Sequence, residues 1–199
     1  GLIRSKEGKY STREGNTIHL QEVIQEAIDK SKELLKDSDI NVDELSRQIG
    51  IGAIKYNDLS QDREKDIIFD WDKVMSLEGD SGPYLQYTYA RCKSVLEKTK
   101  VKEQKNINKI PEKIDKSEMN LIRELYKFEE KIIEAAERFS PSVIAEYILG
   151  VARKYNEFYA KNWIINQKEE VWRVFLTRTT ASLIETGLDL LGIQTVEKM

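Results

Sequence analysis

A serine–proline pair that launches a long apolar stripe constrains this chain more than any other feature. In SPSVIAEYILGVARKYNEFY, which starts at Ser140, the residues Val143, Ile144, Tyr147, Ile148, Val151, Tyr155, Phe158 and Tyr159 recur every three or four positions. That period lines them along one face of an α-helix. Ser140 is a capping residue type, and Pro141 suits the first helical position, where a missing N–H loses no hydrogen bond. The spacing predicts a helix from 141 to about Trp163, with one face that must be buried.

Other segments supply the partners. From Leu20 the apolar residues Val23, Ile24, Ala27, Ile28, Leu34 and Leu35 predict a helix, and Asn41 caps a second carrying Val42, Leu45, Ile49 and Ala53. Residues 1–17 read as a polar loop or hairpin. DIIFDWD, residues 66–72, reads as a short strand or extended segment leading into a helix. A helix follows from about Pro83 to Lys98. Ser117 is expected to cap the next, through Leu121, Leu125 and Phe128, with a further helix to Phe139. The last runs from about Lys168 to Leu191 and stops at Gly192. The expected fold is mainly α, a helical bundle after residue 82 preceded by a smaller α/β region, divided as 1–80 and 81–199.

Composition removes several function classes. No apolar run approaches the ~20 residues needed to cross a membrane, and the polar start GLIRSKEGKY is unlike a signal peptide. The single cysteine, Cys92, excludes an internal disulfide and fits a reducing cytoplasm. It is expected as a small buried residue. The net charge is −3, yet residues 91–116 hold nine Lys or Arg against four Asp or Glu, a local +5. Such a run steers nucleic acid or is simply a solvated loop. Trp163 and Trp172 are expected in the core, Trp71 as a packing anchor, and His19 at the surface. The chain opens at Gly1 and is expected to be a piece of a longer protein, although a processed protein would open the same way.

One string invites a wrong reading. GDSGP, residues 79–83, matches the surroundings of a protease nucleophile. A serine nucleophile needs a base, usually histidine, and His19 is the only histidine. Asp80 and Ser81 are capping types and Pro83 suits a first turn, so the string predicts a turn that starts a helix.

Four stretches carry a family resemblance. IGAIKYNDLSQDREKDIIFDWDKVMSLEGDSGPYLQYTYAR resembles the arginyl-tRNA synthetases, as does KYSTREGN at residues 9–16. PSVIAEYILGVARKYNEFY and LTRTTASLIETGLDLLGIQTVEKM look like that family's anticodon-binding domain, although its Asp-Ala-Leu-Arg motif is not intact here. The resemblance implies the C-terminal portion of a class I synthetase: the end of the catalytic body with a stem-contact region over 1–80, and a helical anticodon-binding domain over 81–199. It implies a cytoplasmic arginine–tRNA ligase using ATP with magnesium, tRNA(Arg) as partner, and neither membrane nor DNA. The His-x-Gly-His motif of such enzymes is absent, so this chain alone is expected to be inactive and to hold no cofactor tightly.

The same resemblance places the site residues. Lys9, Ser11, Thr12 and Arg13, with Tyr10, occupy the KMSKS positions that face ATP phosphates, Thr12 standing where the family has a second lysine. Anticodon contacts fall on Tyr87, Arg91, Tyr159 and Met199, and SLEGDS, residues 76–81, matches a loop near the anticodon. Tyr87 and Arg91, four apart, share a helix face. On periodicity alone Tyr84, Tyr87 and Tyr89 serve equally as packing between helices. The competing reading is a stand-alone synthetase-derived module that binds RNA or protein without catalysis.

Overall fold

The structure, a computed structural model, describes residues 3–5, 8–9, 19–35, 41–101 and 110–199, the first two segments by backbone alone. Strands β1 (Ile3–Ser5) and β2 (Gly8–Lys9) pair antiparallel, and β3 (Ile67–Ile68) joins β1 in parallel. Helices α1 (Leu20–Leu34), α2 (Val42–Leu59), α3 (Trp71–Val74) and α4 (Gly82–Lys98) precede α5 (Lys116–Leu125) and α6 (Phe128–Glu137). The long helices α7 (Pro141–Lys161) and α8 (Glu170–Leu190) complete the bundle.

Two cores hold these elements. The larger gathers Leu85, Cys92, Leu121, Ile148, Tyr155 and Ile184, so α4, α5, α7 and α8 share one interior. The stripe on α7 is buried from Val143 to Phe158, as its spacing predicts. The smaller joins Leu45, Ile49 and Ala53 of α2 to Val74, Met75 and Val196, with Trp71 packed at its edge. Trp71 stands edge-on to Phe69 at 4.8 Å and carries the Lys30 ammonium over its ring at 5.4 Å, an anchor as expected. Helix α2 serves both cores, because Tyr56 enters the larger and its hydroxyl donates to the Ala145 carbonyl at 3.3 Å.

The turn before α4 explains the GDSGP string. Ser81 Oγ accepts from Tyr84 N at 3.1 Å and donates to the Ser76 carbonyl. A side chain only 1 % exposed and committed in both directions is a cap, with no role as a nucleophile. A Cβ on Gly82 would sit 2.7 Å from the Gly52 carbonyl oxygen, so this glycine lets α4 begin in contact with the α2 backbone. Gly192, at φ 66, closes α8: Gly192 N donates to Asp189 O at 2.8 Å and Ile193 N to Leu188 O at 2.9 Å.

Not every expectation holds: the helix expected through Phe128 ends at Leu125, and Phe128 begins α6. Ser117 does not cap α5. Asp115 does, its Oδ1 accepting from Ser117 N at 2.6 Å and Glu118 N at 3.0 Å, while Glu118 Oε2 accepts from Asp115 N at 3.0 Å. A carboxylate with two reachable N–H groups outcompetes a hydroxyl two residues further in, and the Ser117 hydroxyl donates to Asp115 Oδ1 and accepts from Asn162. Trp163 is 83 % exposed rather than core, because α7 ends at Lys161 and the tryptophan leaves the helical register. Asn41 and Ser140 mark the starts of α2 and α7, but neither side chain makes a capping bond. Trp172 and Cys92 are buried and His19 is exposed, as expected.

Candidate nucleic-acid interface

Helices α4 and α7 run in the same direction. Asp80 pairs with Arg153, Tyr84 and Thr88 meet Asn156, and Arg91 meets Tyr159, so successive turns of the two helices stay in step. Tyr87 and Arg91, one turn apart on α4, thereby face Tyr159 across a groove. The Arg91 guanidinium carbon lies 4.8 Å from the Tyr87 ring centroid and 5.1 Å from that of Tyr159, within cation–π range of both.

Asn156 stands behind this sandwich. Arg91 Nη1 donates to Asn156 Oδ1, while Asn156 Nδ2 donates to Tyr84 Oη at 2.9 Å and Thr88 Oγ1 at 3.0 Å. Tyr155 packs beneath Tyr159 at 6.2 Å between centroids. Its hydroxyl is buried, and burial holds its pKa well above the ordinary tyrosine value, so it stays neutral at physiological pH.

The terminal segment closes the groove. Ile193 and Val196 are buried, Gln86 Nε2 donates to Gln194 O at 2.7 Å, and Lys55 donates to Gly192 O. Lys93 pairs with Glu197 at 2.8 Å, and that hydrogen bond holds the lysine pKa up and the glutamate pKa down. Tied on both sides, the segment brings Lys198 and Met199 beside α4. The result is a cleft of about 330 Å³ lined by Tyr87, Arg91, Tyr159 and Met199, together with Ser94 and Lys198. That is the low end of the ~300–1,000 Å³ typical of small-ligand pockets and suits one flat ring system.

All four residues expected to contact an anticodon therefore line one cleft, although they come from three separate parts of the chain. Tyr84 lies behind it, and Tyr89 turns away to donate to Glu185 Oε1 at 3.1 Å. Asn156 was not singled out by the sequence; its position three residues before Tyr159, on the same helix face, is the signal that points to it. Ser94 and Lys198 gave no signal of their own.

The second expected site is harder to place. Lys9 ends β2, whereas Ser11, Thr12 and Arg13 lie outside the described residues. So do residues 102–109 of the basic run 91–116. Among the described residues no group of three His, Cys, Asp or Glu side chains is placed to hold a metal ion. No described helix is long and apolar enough to cross a membrane.

Comparison with known proteins gives concordant matches. The family described as the DALR anticodon binding domain matches residues 85–199, and the catalytic domain of class I tRNA synthetases (R) matches residues 1–71. Over all of this chain, the arginine–tRNA ligases of Halothermothrix orenii and Clostridium acetobutylicum are each 39 % identical. The chain spans only 36 % of the length of those relatives. Among solved structures, Thermus thermophilus arginyl-tRNA synthetase superposes with a TM-score of 0.85 at 28 % identity, covering the whole chain and 34 % of that protein. The Plasmodium falciparum arginyl-tRNA synthetase does so with a TM-score of 0.80 at 25 % identity, covering the whole chain and 35 % of that protein.

Proposed function

This chain belongs to the DALR anticodon binding domain family, and from that premise we propose that it is the C-terminal, RNA-reading portion of an arginine–tRNA ligase. The observation that carries this reading is the Arg91 guanidinium packed against the rings of both Tyr87 and Tyr159 in a cleft that Met199 also lines.

The genetic code says what such a cleft must hold. Every arginine codon has G in the middle, so every arginine anticodon has C there. Bases of a single-stranded loop are read by stacking on aromatic or guanidinium planes and by hydrogen bonds to their edges. Cytosine offers two adjacent acceptors, O2 and N3, to a guanidinium that only donates. Uracil presents an N3–H at the second position, which meets a donor with a donor. The cleft thus stacks the middle base on Tyr87 or Tyr159 and rejects uracil through Arg91. The loop at 76–81 lies next to this cleft in the chain and contacts the neighbouring anticodon-loop backbone.

The rest of the reading concerns the whole enzyme. It activates arginine with ATP and magnesium, then esterifies it to tRNA(Arg), in the cytoplasm. Lys9, Ser11, Thr12 and Arg13 donate to the nucleotide phosphates, and with threonine at the fourth position another cation offsets charge on the leaving pyrophosphate. Residues 1–80 close the catalytic body and 81–199 form the anticodon-binding unit. The nucleotide is a substrate of that body, so arginine-dependent ATP–pyrophosphate exchange by these 199 residues stays at background.

The test is a titration of the chain with an anticodon stem–loop RNA of tRNA(Arg) and with the same RNA carrying U at the middle position. The cytosine form is expected to bind about ten- to a hundredfold more tightly, the range of one good base contact. Equal affinity for the two RNAs overturns the reading.

A further inference from the structure

Asn156 is half-buried on α7 between Arg153 and Tyr159, and none of the expected contacts includes it. We propose that Asn156 is a positioning residue that locks the Arg91 guanidinium in its reading orientation, and so sets discrimination at the middle anticodon base without touching it. This rests on the assignment of the cleft to anticodon reading.

The hydrogen-bond network fixes which way the amide points. Thr88 Oγ1 donates to the Tyr84 carbonyl at 2.8 Å, so its proton is committed along α4. Toward α7 that oxygen can only accept, and the Asn156 group 3.0 Å away must be the NH2. The amide oxygen is thereby turned to Arg91, a side chain with donors only. Flipping the amide would set NH2 against guanidinium and oxygen against oxygen, losing bonds at both ends. The orientation follows from bonding capacity.

The consequence falls on Arg91. A free arginine side chain samples many rotamers and gives up that freedom when fixed. Here two rings restrain the guanidinium plane and Asn156 restrains its rotation within that plane. Its other N–H groups make no hydrogen bond among the described residues, so they remain for a ligand. A guanidinium held in plane and in rotation distinguishes acceptor from donor at one base edge. Restrained in plane alone, it still stacks but turns to suit either pyrimidine.

The experiment measures binding of the 199-residue chain to the two stem–loop RNAs, with C or with U at the middle position. Asn156→Ala is expected to weaken the C form about tenfold and leave the U form nearly unchanged, so that discrimination falls by the same factor. Asn156→Asp keeps an acceptor for Arg91 and is expected to keep most of the discrimination. Thr88→Val, nearly isosteric, removes the acceptor that orients the amide and is expected to lose several-fold; it carries the test if Asn156→Ala does not fold. Equal weakening of both RNAs by Asn156→Ala, or undiminished discrimination in Asn156→Ala or Thr88→Val, overturns the inference. Arg91→Ala separates the two levels. Discrimination lost in Arg91→Ala but kept in Asn156→Ala removes the role of Asn156 alone, whereas discrimination kept in both removes the assignment of the cleft as well.

Discussion

Gln86 Nε2 donates to the carbonyl of Gln194 at 2.7 Å, across 108 residues of sequence, from a side chain with no exposed surface. The same nitrogen reaches the Gln48 carbonyl at 3.3 Å, so one amide ties α4 to α2 and to the terminal segment. Gln86→Leu removes both bonds from a buried site, a change that costs about 1–3 kcal/mol. The urea midpoint should fall accordingly. Affinity for the anticodon stem–loop should fall too, although Gln86 does not line the cleft, because Lys198 and Met199 lose their anchor. A variant with an unshifted midpoint and full affinity would show that the segment is held without Gln86, by Ile193, Val196, Lys55 and the Lys93–Glu197 pair.

The start of α4 separates a cap from a close approach. Ser81→Ala loses one capping bond and should cost about 0.5–2 kcal/mol. Gly82→Ala must push α4 away from the Gly52 carbonyl, an overpacking of about 1–3 kcal/mol that Asp or Thr at position 81 does not relieve. Thermal melts of both variants decide the order. Serine-directed organophosphorus reagents should leave Ser81 unmodified at any concentration that spares the fold.

Acid should loosen α5 first at its beginning. Burial alone would raise the Asp115 pKa, but hydrogen bonds from Ser117, the Glu118 backbone and Asn162 outweigh it and hold the carboxyl below its ordinary 3.8. A depressed folded pKa contributes stability that is complete above the unfolded value and is lost as pH falls through the folded one. Stability should therefore be flat from neutrality to about pH 5 and decline below about pH 4. Asp115→Asn keeps a capping acceptor and should flatten the Asp115 share of that decline. Urea titrations at pH 3 and pH 6 on both proteins measure the difference, and identical slopes would exclude Asp115 as the source.

Tyr87→Ala should weaken binding of the cytosine-bearing stem–loop by about ten- to a hundredfold, the worth of one base–aromatic stack. For the RNA with U at the middle position the loss should shrink, because the lost contact was never well made. The coupling in that protein–RNA double-mutant cycle is the decisive quantity. Simple addition of the two losses would mean that Tyr87 does not meet that base, and a fall in helix content by circular dichroism would mark it as core.

The helices were legible because each needs only a local period. The α7 stripe from Val143 to Phe158 is readable within one stretch of chain, as are the GDSGP turn and the stop at Gly192. What failed or stayed hidden depends on distance or on competition. Ser117 and Asp115 are both capping types two residues apart, and geometry alone decides that the carboxylate takes the N–H groups. Trp163 keeps the apolar spacing on paper, but α7 has ended two residues earlier. The four cleft residues were named by family resemblance, since no periodicity joins Tyr87 to Met199. The role of Asn156 depends on α4 and α7 running side by side, because it lies in what Thr88 and Arg91 oblige the amide to do.

Cys92 lies sealed between the helices of the larger core, and burial pushes its thiol up to about 12. At neutral pH it has almost no thiolate to react with maleimides or iodoacetamides. The chain thus behaves toward such reagents as if it had no cysteine. A cysteine introduced at an exposed position, such as Glu146 on α7 or Lys168 before α8, becomes the sole point of attachment for a fluorophore or spin label. Distances from the bundle to a labelled RNA can then be measured on a protein whose native interior is untouched.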